Sequence, residues 1–137
     1  MKIVKEISYL APEGELTGTI ISGKLNVEEK NGKRRESVRL TIAVDPIPNH
    51  HMFDYRVRMD YWESQANDLI TDAKMIIGSE ANELTNSDGE IRDGKLYLLV
   101  NKRVKFTVIH DSKPGHKDAY RKVVNLRPLN EDNRQAA

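Results

Sequence analysis

The chain contains no cysteine, which removes disulfide staples, thiolate metal sites and cysteine nucleophiles together. Aromatic residues are scarce, with two Phe, five Tyr and a single Trp, so each one outside the core stands out. No apolar run approaches the ~20 residues that a membrane helix needs. The apolar stretch in the opening MKIVKEISYL is too short for a signal peptide. The expectation is a cytoplasmic protein without membrane association.

Catalytic constellations are also missing. His50, His51, His110 and His116, with Asp54, Asp60 and Asp111, supply the residue types of a metal-dependent nuclease. Their spacing does not: no HExxH-like pair shares a helix face, and adjacent His50 and His51 diverge from a loop stiffened by Pro46 and Pro48. GTIISG lacks the lysine and serine of a phosphate-binding loop. We therefore expect no catalytic residue, no metal and no cofactor, with a metal-dependent nuclease as the weakest reading.

What is present suits one domain. The chain has 137 residues, 38% hydrophobic and 31% charged, enough apolar material for one core beneath a heavily charged surface. The ordered part is expected over about residues 14–128, between a polar leader and the tail LNEDNRQAA. The formal net charge of +1 hides an uneven distribution. From Lys95 to Arg127 nine Lys and Arg face two Asp, a net of +7, whereas from Glu63 to Gly94 eight acids face Lys74 and Arg92, a net of −6.

Periodicity supplies the elements. Leu16 to Glu29 is rich in β-branched residues and interrupted by Gly18 and Gly23, as in a long strand that bends or bulges. Asn31-Gly32 tolerates the positive φ angles of a tight hairpin. In the strand beyond it Val38, Leu40, Ile42 and Val44 alternate with Ser37, Arg39, Thr41 and Ala43, so Arg39 is expected to point outward. In YRVRMDYW one face takes Tyr55, Val57, Met59 and Tyr61, and the other Arg56, Arg58, Asp60 and Trp62. Ser64 is placed to cap a helix through QANDLITDAKMII that Gly78 ends. KLYLLV reads as a short strand or an apolar turn, and VKFTVIHD with YRKVVNLRP closes the chain as a hairpin. Three strands, a helix and two strands is the order of a mainly β OB-fold: a five-stranded Greek-key barrel with its helix between strands three and four.

The opening GELTGTIISGKL, the charged hairpin into RLTIAVD, the helix SQANDLITDAKMIIG and the closing VKFTVIHD with YRKVVNLRPL resemble the small OB-fold single-stranded-DNA-binding proteins of bacteriophages and related mobile elements. The likeness covers roughly residues 14–128. It implies an open barrel face whose basic and aromatic side chains hold a strand without strong base preference, in replication or recombination. Many bacterial relatives end in an acidic, hydrophobic-tipped tail, whereas NEDNRQAA has no such tip.

Binding a single strand needs cations for phosphates and flat side chains for bases. The phosphate candidates are Arg39, Arg56, Arg58, Lys105, Arg121 and Lys122; the stacking candidates are Trp62 and Tyr120, with Tyr97 and Phe106 behind them. Phe106, Tyr55 and Tyr61 share parity with apolar neighbours and read as core. Trp62 is open to two roles, stacking on a base or packing on the helix. The alternative function is a protein-interaction module that docks a replication, recombination or host-defence protein through Asp68, Asp72, Glu80 and Glu83. A homodimer also stays open, because an edge strand can pair with its copy.

Overall fold

The structure, a computed structural model, describes residues 12–47, 55–111 and 120–129. The leader, the loop bearing His50 and His51, the loop bearing His116 and the tail lie outside the described residues. The elements are β1 (Gly14–Lys30), β2 (Lys33–Val44), β3 (Arg56–Trp62), α1 (Ala66–Ile77), β4 (Arg103–Asp111) and β5 (Tyr120–Pro128). Two 3-10 segments, Gly78–Leu84 and Asp93–Leu99, fill the span between α1 and β4, so KLYLLV is an apolar turn rather than a strand.

All five strands are antiparallel and form one sheet in the order β3-β2-β1-β4-β5. At the β1–β2 connection Asn31 has φ 54° and Gly32 φ 75°, the two left-handed residues of a hairpin turn whose twist matches the strands. This fixes the register, with Lys30 opposite Lys33 and Leu25 opposite Val38. One extra residue, Ile21, sits between the pairs Ile20–Ile42 and Ser22–Thr41. That bulge lets Gly18 and Ile20 face the core before it and Gly23 after it, although their parities differ. β1 pairs with β4 over Gly14–Thr19 and with β2 from Gly18 to Lys30, so that Gly18 and Thr19 are flanked on both sides. Beyond Thr19, on the edge of β1 away from β2, the backbone N–H of Leu25 donates to the Asp93 carboxylate at 3.0 Å.

The β4–β5 ladder carries a second bulge, between Lys105–Arg127 and Thr107–Val124. Here Asn125 takes φ 57°, and the shift turns both Val123 and Leu126 into the core. Phe106 is 0% exposed and packs among Ile20, Leu40, Ile42, Leu69, Leu96 and Leu126 in one cluster that includes Tyr55 and Tyr61. Burying a side chain of this size stabilises by about 1.5–3 kcal/mol.

The helix differs from expectation at its start. Ser64 lies inside a 3-10 turn, Glu63–Gln65, and Gln65 occupies the N-cap position without a side-chain cap bond. The reason is local: the Gln65 side-chain oxygen accepts the Trp62 backbone N–H at 3.0 Å, drawing the first turn tight. Gly78 ends α1 with φ 70° as expected. α1 turns Leu69 and Ala73 into the core, and its Asp72 accepts the Tyr61 hydroxyl at 2.7 Å. β3 and β5, the outermost strands of the sheet, border a common cleft of about 600 Å³ that α1 also lines.

Candidate nucleic-acid interface

Alternation along β2 and β3 separates a core face from an outer face, and the ladder sets the outer residues in lateral rows. Arg56 opposes Ala43, Ala43 opposes Thr19, and Thr19 opposes Arg103. In the next row Arg58 opposes Thr41, and Thr41 opposes Ser22. Arginines thus rise from β3 beside a shallow strip of Ala and Thr, which leaves room for a ligand to approach the sheet.

Arg39 and Arg103 are bound down within this face. Arg39 points outward as its parity requires, but its guanidinium grips the opposing Asp60 through Nε at 2.8 Å and Nη2 at 3.3 Å. The Asp60 hydrogen bond raises the Arg39 pKa further, against the desolvation that lowers it. Arg39 is therefore a strut between β2 and β3. Arg103 holds Asp45 through both Nη atoms, at 2.7 and 2.6 Å, and also bonds Thr19. Asp45 accepts the Thr17 hydroxyl as well, and the Arg103 bond first of all keeps its carboxyl below the usual range. This knot ties β1, β4 and the end of β2.

The remaining candidates divide by position. Arg58 and Lys122 are exposed, have no carboxylate partner among the described residues, and line the same cleft from β3 and β5. Arg56 is exposed one row away. Lys105 stands on β4 directly opposite Arg127 of β5, and facing like charges destabilise a ladder unless an anion joins them. Tyr120 and Arg121 open β5 opposite Asp111 and His110; their side chains lie outside the described residues. Phe106 is core and faces no ligand. Tyr97 is 61% exposed, but on the Asp93–Leu99 segment, which adjoins β1, two strands from β3.

Trp62 has a partner that parity along β2 could have named. Arg35 shares the outward parity of Ser37 and Arg39, and its guanidinium carbon lies 4.1 Å from the indole centroid, a cation–π contact. The indole is half-buried. The residue opposite it, Ser37, is 2% exposed, and that residue's other neighbour is Asn26. Ser37 Oγ and Asn26 Nδ2 are buried without hydrogen-bond partners among the described residues.

The acidic segment spends part of its charge internally. Asp72 holds Tyr61, Glu83 pairs with Lys95 at 3.6 Å and Asp93 closes onto Leu25. Burial pushes the Asp72 carboxyl up; the Tyr61 hydrogen bond opposes this, Asp68 adds to it and Arg127 lowers it. The Tyr61 hydroxyl is raised strongly, mainly by burial. A raised carboxyl favours folding below its unfolded pKa and loses that contribution as pH rises through its folded one. Asp72→Asn keeps an acceptor for Tyr61 without the half-buried charge. We expect it to raise the thermal midpoint at pH 7 by about 2 °C, a gain that shrinks as pH falls through the carboxylate range; circular-dichroism melts across pH check this.

Among the described residues no three His, Asp or Glu side chains are grouped to hold a metal ion, and no helix is long and apolar enough to cross a membrane. His110 of β4 is half-buried, with its backbone N–H bonded to Glu13 at 2.6 Å. In comparisons with known proteins, neither a family model nor a curated protein matches the chain.

Proposed function

We propose that this chain is a non-catalytic, sequence-tolerant single-stranded-DNA-binding domain of the OB-fold type. In this reading it protects or organises single strands during the replication or recombination of a bacteriophage or mobile element, in the cytoplasm of a bacterial host. The observation that carries it is the outer face of β3: Arg56, Arg58 and the Arg35–Trp62 stack stand beside a strip of small residues, and Lys122 answers from β5 across the cleft. The sheet order, with β3 and β5 bordering one cleft beside α1, supports a barrel of OB type.

The physics suits a sequence-tolerant ligand. Cations on a strand face meet phosphates whatever the base, and each neutralised phosphate steepens the fall of affinity with salt. An aromatic platform adds about 1–3 kcal/mol per stacked base. Fluorescence titration of a labelled oligothymidylate and of the matching duplex, at low and moderate salt, is the test. The expected result is salt-sensitive binding that favours the single strand, with Trp62 emission quenched as a base exchanges with or joins Arg35. Equal or absent binding of the two forms would exclude the reading.

A further inference from the structure

We infer that the cleft between β3 and β5 receives one unpaired nucleobase and prefers a base that bears an exocyclic amine over thymine or uracil. The inference rests on the single-strand reading above and adds a base preference at one position of an otherwise tolerant site. Six residues that line the cleft carry it: Arg58, Trp62, Gln65, Asp68, Lys122 and Asn125. They separate into three chemical roles.

Arg58 and Lys122 are the cations, one from each bordering strand, and fit the phosphates on either side of an inserted nucleotide. Trp62 supplies an aromatic wall against which a base can lie. Hydrogen-bonding groups for a base edge come from α1 and its lead-in turn, and from β5. Asp68, in the first turn of α1, is exposed and forms no hydrogen bond or ion pair among the described residues. An ionised carboxylate accepts hydrogen bonds and donates none. Gln65 already uses its side-chain oxygen on the Trp62 backbone, so its NH₂ donors are what it can offer. Asn125 is exposed at the bulge of β5.

An acceptor-only group beside a donor selects among bases. Adenine, cytosine and guanine each present an amine that the Asp68 carboxylate accepts, and each has a ring nitrogen or carbonyl for the Gln65 amide. Thymine and uracil carry carbonyl oxygens where the amine would be, with one imide N–H between them. Against Asp68 those oxygens set lone pair toward lone pair. The same carboxylate repels phosphate, which favours the backbone beside Arg58 and Lys122 and the base edge beside Asp68.

The experiment compares labelled oligodeoxycytidylate and oligothymidylate of about 12 nucleotides, at one moderate salt concentration, on wild type and Asp68→Ala. Asp68 is exposed, and circular dichroism checks that the variant is folded. Wild type should bind the cytidylate roughly tenfold more tightly. In Asp68→Ala the ratio should fall to about twofold or less, chiefly through weaker cytidylate binding, while thymidylate affinity holds or rises as a negative charge is lost. Equal wild-type affinities, or a preference that survives the substitution, overturn the inference and leave single-strand binding standing. If neither oligonucleotide binds, the single-strand reading falls and this inference falls with it.

Discussion

Replacing Arg58 and Lys122 together by alanine should weaken binding of oligothymidylate roughly a hundredfold at low salt, about 1–2 kcal/mol for each cation removed. The slope of log affinity against log salt should become shallower by about 1.4, since each neutralised single-strand phosphate contributes ~0.7. The expectation follows from position: both side chains are exposed, line one cleft and have no carboxylate partner among the described residues. Arg39 is the internal control. Its guanidinium is committed to Asp60 at 2.8 Å, so Arg39→Ala should cost at most about threefold in affinity and should instead lower stability by leaving a half-buried carboxylate unpaired. Titrations of the three proteins at several salt concentrations, with melts alongside, separate the two effects. Should Arg39→Ala weaken binding as much as the double variant, the division into strut and phosphate ligands is wrong.

The largest effect on folding is expected at Gly18. A Cβ built there would lie 2.4 Å from the Ala43 carbonyl oxygen and 2.9 Å from Ile42 Cγ2, and the first of these is backbone that no rotamer can move. Gly18 sits where β1 is hydrogen-bonded on both sides, opposite Val44 of β2 and Val104 of β4, so neither neighbour can yield without disturbing a ladder. Gly18→Ala should therefore destabilise by about 3 kcal/mol and lower the thermal midpoint by roughly 10 °C. Gly94→Ala, where nothing lies within 4 Å, should stay within about 0.5 kcal/mol of wild type. If the two variants melt together, β1 and β2 do not approach as closely as described.

Much of the fold was legible from local pattern. The alternation of Val38, Leu40, Ile42 and Val44 marks β2 and its buried face, Asn31-Gly32 marks the turn, and Gly78 marks the end of α1, because each depends on neighbours a few residues away. Ser64 misled, since the chain after Trp62 enters a 3-10 turn, closed by Gln65 reaching back to the Trp62 N–H, that places Ser64 inside the turn rather than at the cap of α1. The site was legible in its residue types and less so in its pairings. That Arg56 and Arg58 share a face with Trp62 follows from parity alone. That Arg39 meets Asp60 and Arg35 covers Trp62 follows from the β2–β3 register, and that Arg103 meets Asp45 follows from the β1–β2 register, which a bulge at Ile21 shifts by one residue in a way composition does not announce. The cleft shared by Arg58 and Lys122 is further still from local pattern, joining residues at opposite ends of the strand order.

The bond from Leu25 to Asp93 gives the sheet a defined limit. Beyond the point where β4 leaves it, β1 would offer another chain a row of backbone donors and acceptors, flanked by the exposed Leu25 and Val27, the kind of margin along which strands recruit strangers. The carboxylate occupies one of those donors and sets a negative charge on the margin, and the 93–99 segment crowds Gly23 next to it through Leu96. A single aspartate, delivered by a turn some seventy residues later in the chain, thus occupies a donor that an incoming strand would need to extend the sheet.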